Sequence, residues 1–266
     1  VEATLTALGT HGIDAINLDL MYGLPKQTLV TMRETIGEVI ELAPSRIALF
    51  GYAHVPWLKT QQRGLERQGL PSDDERMALF LLARDLLFAA GYEPIGMDHF
   101  ARPDDELAIA ARDGTLTRNF MGYSTRHGLD LLAVGPSGIG QMNGTFTQNA
   151  KDLTPWEDAI AAAEPGWEKA LLMQGDDPLR AEVIRDLMCS MRVDKRAIEA
   201  KYGIVFDSYF ADAVAGLPAM AADGLVEDGP DRLRITETGR LLMRNVAMLF
   251  DGYLQDDRKA RYSRTV

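Results

Sequence analysis

Leu18-Asp-Leu-Met-Tyr-Gly-Leu-Pro-Lys-Gln-Thr28 decides the fold class, because it passes from an apolar run through Gly and Pro into a helical pattern. Ile16 to Tyr22 is a strand candidate, Gly23 to Thr28 a loop, and Thr28 to Leu42 a helix with apolar residues at helical spacing. Arg46-Ile-Ala-Leu-Phe-Gly-Tyr-Ala53 is a second strand candidate, ending just before His54 and Pro56. Strand, helix and strand in this order describe a βα unit whose strands lie parallel in one sheet. The expected class is α/β.

Upstream, Val1-Glu-Ala-Thr-Leu-Thr-Ala-Leu8 reads as the end of an amphipathic helix entered in mid-pattern. Downstream, a polar linker over Gly64 to Pro71 precedes Ser72 and Glu75, whose spacing predicts a capping box on a helix from Asp73 to Ala90, closed by Gly91. Tyr92 to Met97, Leu116 to Tyr123 and Leu131 to Gly135 are expected strands, so antiparallel strands extend the parallel sheet. From about Pro155 the character turns helical: Trp156 to Ala163, Leu179 to Met191 behind Asp177-Pro178 at N-cap and N1, Lys195 to Tyr202, and Asp207 to Ala222. Strands Leu225 to Glu227 and Leu233 to Ile235, joined by Asp228-Gly-Pro-Asp231, then lead to a helix from Glu237 to Phe250. Three helices, a hairpin and a helix describe a winged-helix-like module. The expected division is an α/β part over residues 1–154 and a helical part over 155–266.

A chain of 266 residues with 46% hydrophobic content can bury a substantial core unaided. No apolar run approaches the length of a bilayer, and the first residues lack a basic then apolar leader, so the expected location is the cytoplasm. A single cysteine, Cys189, excludes an internal disulfide and any metal site built from thiolates alone. The net charge of −11 opposes nucleic acid at long range. A DNA reader in the winged-helix-like part fails on the same ground: Asp177 to Val266 holds 14 basic against 15 acidic residues, and the would-be recognition helix has no Lys or Arg.

Asp19 is a carboxylate inside an apolar strand, expected at its C-terminal end, where βα loops of a barrel hold ligands, and suits a ribose or an amine. The competing reading is a cap for the following loop. Asp98, His99, Arg102, Asp104, Asp105 and Glu106 follow another expected strand; they have the makings of an acid/base or metal-like site, since His and carboxylates move protons and bind hard or borderline ions. Yet Pro103-Asp-Asp-Glu106 is also a helix start with acidic residues favoured by the helix dipole, and that account is preferred for the carboxylates. Gly135-Pro-Ser-Gly-Ile-Gly140 permits close backbone approach to a ligand but is not a dinucleotide fingerprint. His54 and Cys189 read as a hydrogen-bonded strand-end histidine and a core thiol.

Four segments in order, Leu18 to Thr28, Tyr52-Ala-His54, Ile95-Gly-Met-Asp-His-Phe-Ala-Arg-Pro-Asp-Asp-Glu-Leu-Ala108 and Arg118-Asn-Phe-Met-Gly-Tyr-Ser-Thr125, resemble the oxygen-independent coproporphyrinogen III oxidases. The likeness continues through Asp223-Gly-Leu-Val226 and Thr236-Glu-Thr-Gly-Arg240 to Tyr262-Ser-Arg264. The block around Asp98 and His99 separates this family from related haem-chaperone proteins, the alternative reading, which share the Asp19 strand.

The resemblance implies the C-terminal part of a radical S-adenosylmethionine partial (β/α)6 barrel, with a 4Fe-4S cluster on a three-cysteine loop that lies outside these residues. It implies that a 5′-deoxyadenosyl radical abstracts a hydrogen from a propionate of coproporphyrinogen III, and that loss of carbon dioxide and an electron leaves a vinyl group. Carried over by motif, Asp19 and Ala53 would line the S-adenosylmethionine site, and Ile139 would contact a second molecule or the substrate. Met121 departs from the family, which usually has Gln there. Arg102, Arg118 or Arg126 would supply the local positive field for propionates that a chain of charge −11 otherwise lacks. The implied partners are the N-terminal half of the same enzyme, an electron donor and an electron acceptor.

Overall fold

The computed structural model describes residues 1–254. The expected resemblance at Tyr262-Ser-Arg264 lies outside the described residues. After helix α1 (Glu2–Thr10), strand β1 (Asn17–Tyr22), helix α2 (Leu29–Leu42) and strand β2 (Arg46–Gly51) form the expected βα unit. The two strands pair parallel, with Asp19 opposite Ala48. Thr28 caps α2 through a reciprocal bond pattern with Thr31, and Met32, Ile36 and Val39 place one apolar face on the sheet.

A short helix α3 (Arg63–Glu66) occupies part of the expected linker, and helix α4 (Asp73–Ala89) begins at the predicted Ser72–Glu75 capping box. Leu79, Phe80, Ala83 and Leu87 of α4 meet Met32, Ile36 and Val39 of α2 in one core over Ile47 and Leu49 of β2. Burying a leucine, isoleucine or methionine there stabilises the fold by about 2 kcal/mol. Both helices cover the same sheet face, where Leu18 and Leu20 also pack. The opposite face carries Asn17, Asp19 and Met21, all exposed.

Strands β3 (Glu93–Pro94) and β4 (His99–Ala101) complete a four-stranded sheet of order β1-β2-β4-β3, in which β4 runs antiparallel to β2. The expected strand over Tyr92 to Met97 is thus only its middle. Helix α5 (Glu106–Asp113) follows, capped by Asp105. Leu116 to Tyr123, expected as one strand, is instead a hairpin of β5 (Thr117–Asn119) and β6 (Gly122–Ser124). Asn119 Oδ1 accepts the Met121 N–H and turns the chain, and Gly122 takes φ +126°.

Leu131 to Gly135 also departs from expectation: only Leu131 pairs, as a single bridge to Gln141. The strands lie further on, as β7 (Ile139–Met142), β8 (Thr145–Asn149) and, past helix α6 (Leu153–Ala161), β9 (Trp167–Leu172). Asn143 and Gly144 at φ +47° and +72° make the tight β7–β8 turn, as an Asn-Gly pair favours. Strands β8 and β9 pair antiparallel across residue 154, where the two parts were expected to divide.

Helix α7 (Asp177–Ser190) is capped one residue earlier than expected, at Asp176, with the Asp177 carboxylate accepting the Gln174 N–H. Strand β10 (Arg192–Asp194) and helices α8 (Lys195–Tyr202), α9 (Phe206–Tyr209) and α10 (Ala211–Ala222) follow, the last two replacing one expected helix broken at Phe210. Strands β11 (Val226–Asp228) and β12 (Arg232–Ile235) join β10 in a sheet of order β10-β12-β11. A 3-10 turn (Gly239–Leu242) and helix α11 (Met243–Met248) stand where one longer helix was expected. The core here is sealed: Phe206, Phe210 and Phe250 pack with ring centroids 4.9 to 6.0 Å apart. Lys195, 2% exposed, reaches Asp207 and Asp228 at 2.7 Å each. Among the described residues no helix is long and apolar enough to cross a membrane.

Candidate functional site

Pairing across three strands sets one row on the open sheet face: Asp19 of β1 opposite Ala48 of β2, and Ala48 opposite His99 of β4. Strands stand about 4.8 Å apart, so the Asp19 and His99 backbones are about 10 Å from each other. Asp19 is exposed, and its carboxylate accepts a 2.6 Å bond from Asn17 Nδ2, a same-face neighbour two residues back. It lies in mid-strand rather than at the strand terminus.

Ala53 follows two residues after β2 with its methyl exposed. Its loop is held from several sides. Gln62 Nε2 donates to the Ala53 carbonyl at 3.0 Å while Gln62 Oε1 accepts the Val55 N–H at 2.6 Å. Tyr52 N–H donates to the Tyr22 carbonyl at 2.8 Å, and Arg76 Nη1 donates to the Tyr52 carbonyl at 3.1 Å. Gln62 and Arg76 carry no local mark of a loop clamp in the sequence: one is a glutamine ahead of the polar linker, the other an arginine in the first turn of a helix.

His99 Nδ1–H donates to the Asp98 carboxylate at 2.7 Å. Phe50 and Tyr123 meet its ring edge-on, at 5.8 and 5.3 Å between centroids. Tyr123 is fixed in turn: its hydroxyl donates to the Met188 carbonyl at 3.1 Å and accepts the Met97 N–H at 3.4 Å. Burial pushes this phenol up to about 12. A Cβ on Gly96, at φ +123°, would overlap the same hydroxyl, so glycine is required there.

The carboxylates after β4 have structural work. Asp105 caps α5 by accepting the Leu107 N–H at 2.8 Å and pairs with Arg46 at 2.8 Å, while Glu106 takes the other arm of Arg46 at 2.9 Å. Because β4 runs antiparallel to β2, its end points away from the Ala53 loop. Arg102 therefore sits at the opposite end of the sheet, donating its N–H to Ser45 and facing Asp104 at 3.4 Å. Arg118 is exposed with its guanidinium 5.7 Å from the Tyr123 ring, and Arg126 is exposed on the loop just after β6. Ile139 opens β7 in the separate three-stranded sheet. Gly140 beside it is close to the chain's own atoms: a Cβ would meet the Leu131 carbonyl and Thr147 hydroxyl at 3.0 Å.

A family described as the HemN C-terminal domain matches residues 173–242. An oxygen-independent coproporphyrinogen III oxidase of Pseudomonas aeruginosa is 42% identical over 252 residues, 95% of this chain and 55% of that protein. One of that name from Thermostichus vulcanus is 40% identical over 254 residues, 95% of this chain and 78% of its own length. The chain belongs to the oxygen-independent coproporphyrinogen III oxidase family. A solved structure titled "Coproporphyrinogen III oxidase (HemN) from Escherichia coli is a Radical SAM enzyme" superposes with a TM-score of 0.90 at 39% identity, covering 95% of this chain and 58% of that one. The chain thus spans a little over half the length of several of these oxidases.

For an oxidase of this family the implied groups divide. On the open face Asp19 offers an exposed acceptor, and Ala53 presents only a methyl beside a backbone fixed by Gln62 and Arg76, a donor set compatible with hydroxyl groups and a flat ring. The described residues do not fit an iron–sulfur cluster. The single thiol, Cys189, is buried in a core with Ile95, Leu107 and Leu116, and desolvation pushes it up to about 11. Among the described residues no group of three His, Cys, Asp or Glu side chains is placed to hold a metal. Phe120 and Met121, at the tip of the β5–β6 hairpin, are 61% and 78% exposed, so the unusual Met121 projects outward from the oxidase fold. His54 is paired through Nε2 with Glu66 at 2.9 Å, as a strand-end histidine should be.

Proposed function

We propose that this chain forms the S-adenosylmethionine-facing and substrate-facing part of an enzyme that decarboxylates two propionates of coproporphyrinogen III to vinyl groups, giving protoporphyrinogen IX. The observation that carries this is family membership over 95% of the chain. The relatives' shared name favours oxidation over the haem-carrying alternative. Bound S-adenosylmethionine supplies hydrogen-abstraction chemistry once reduced by a cluster held outside these residues. Asp19 orients the ribose from mid-sheet, and Ala53 borders the adenine on a loop that Gln62 and Arg76 keep rigid. Ile139, in the separate three-stranded sheet, contacts a second S-adenosylmethionine or the substrate.

Arg118 and Arg126 supply positive charge toward the propionates from the β5–β6 hairpin, while Arg102 stands at the far end of the sheet. The architecture proposed is the C-terminal part of a partial (β/α)6 barrel, supported by the parallel β1–β2 pair with α2 on its outer face. The described strands close no barrel. A winged-helix-like module follows, supported by α8, α10 and the β11–β12 hairpin, and a division of the chain is proposed on the separate cores, with α6 and β9 on the α/β side because β9 pairs with β8. The enzyme works in the cytoplasm with an electron donor, an electron acceptor and the N-terminal half as partners. The test is anaerobic turnover of coproporphyrinogen III by the enzyme joined to its cluster-binding part. Vinyl products that depend on S-adenosylmethionine support the reading, and an enzyme with an intact cluster that binds haem but releases no vinyl product contradicts it.

A further inference from the structure

The Asp98–His99 pair is a built feature that the oxidase reading does not use. His99 lies on the open sheet face in the Asp19–Ala48–His99 row. Its ring is held on three sides by Asp98 through Nδ1, Phe50 and Tyr123. The supports are held as well. Asp98 is fixed by its carbonyl, which accepts the Leu49 N–H at 2.7 Å, and Tyr123 by Met97 and Met188. A carboxylate on Nδ1 keeps the N–H at that atom, so Nε2 is left as the working nitrogen. No protein group among the described residues takes Nε2, and 23% of the side chain is exposed. Among the four histidines of the chain, His54 is tied to Glu66 and His11 to its own helix, whereas His99 alone stands in the row with Asp19.

We propose that His99, oriented by Asp98, is a substrate-contacting residue whose Nε2 binds a propionate carboxylate of the tetrapyrrole, with Phe50 and Tyr123 as the apolar walls beside the pyrrole. This rests on the coproporphyrinogen reading given above. The arrangement matches the need: a substrate bearing several carboxylates meets a chain of net charge −11, and an imidazole fixed by Asp98 through Nδ1 presents Nε2 to a second carboxylate, to which it donates when both ring nitrogens carry hydrogen. Its place about 10 Å across the sheet from Asp19 leaves room for one ring system between them.

The experiment uses the enzyme with its cluster-binding part and measures binding of coproporphyrin III, the stable oxidised tetracarboxylate, by fluorescence quenching. Its tetramethyl ester is the control. The wild type binds the acid and not the ester. His99→Asn, whose amide reaches Asp98 but not the Nε2 position, lowers affinity for the acid at least tenfold. His99→Gln, whose amide nitrogen reaches the Nε2 position, retains most of it, and Asp98→Asn falls between. A merely structural histidine gives no such order of Asn and Gln. Equal affinities within twofold for wild type, His99→Asn and His99→Gln, each folded by its melting curve, overturn the His99 assignment and leave the oxidase reading standing. A wild type that binds neither porphyrin overturns both.

Discussion

The open face of the first sheet and the sealed interior of the last module are built from the same chain on opposite principles. Between α7 and α11, apolar residues such as Val183, Leu187, Phe206 and Phe250 are wholly buried, and the one buried cation, Lys195, has two carboxylates to itself. On β1 the alternation is one-sided: Leu18 and Leu20 pack against helices while Asn17, Asp19 and Met21 face outward. The contrast teaches where stability and chemistry reside. In the last module the buried Lys195 ammonium is held by two carboxylates, although Asn245 Oδ1 is buried without a partner, whereas on the open face Asp19 and His99 are each fixed at one atom and free at the next.

Breaking the sealed side gives the largest effect. Burial alone works against the charge on Lys195, but hydrogen bonds to Asp207 and Asp228 outweigh it and raise its pKa above the ordinary 10.5. The pair therefore contributes fully at neutral pH, and its contribution is lost only as pH climbs through that raised value. Lys195→Ala should destabilise the last module by about 3 kcal/mol, the low end for breaking a buried pair because Asp207 keeps access to water. Urea unfolding at pH 7 checks this, and a loss under about 1 kcal/mol would remove the contrast.

The joint between the regions comes next. Tyr123→Phe deletes the bond to Met188 and leaves the Met97 N–H without its acceptor. The expected cost is about 1 kcal/mol. Hydrogen exchange should show faster opening at Met97 and at the C-terminal end of α7 than in α2. Smallest of all is the open face: Asp19→Ala should leave stability within about 0.5 kcal/mol, since an exposed carboxylate on a sheet face packs against little. In the cluster-bearing enzyme the same change should weaken S-adenosylmethionine binding at least tenfold by isothermal titration. A large stability loss with unchanged binding would reverse the roles assigned to the two regions.

Periodicity and caps made the first βα unit and α4 legible, because Thr28, Ser72 and Glu75 act locally and the apolar spacing matches each element. The middle of the chain was harder to read. Its strands are short and held by turns, Asn119 to Gly122 and Asn143-Gly144, whose effect outweighs the apolar runs around them. The site divides in the same way. Asp19 announces itself as a charge in an apolar strand, but the direction of β4, which carries Arg102 to the far end of the sheet while leaving His99 in the Asp19 row, is a tertiary fact. No local pattern encodes it.

These residues are proposed to supply the cofactor-facing and substrate-facing surface, with the cluster ligands coming from elsewhere. Anaerobic reconstitution of the 266-residue chain with iron and sulfide, followed by iron analysis and visible absorption, tests it most directly. The chain alone should retain no iron and show no charge-transfer band, because Cys189 is one buried thiol pushed up to about 11. Mixed with a separately expressed N-terminal half, it should yield a cluster and S-adenosylmethionine-dependent vinyl product. A redox-active cluster assembled by the 266 residues alone would contradict the claim.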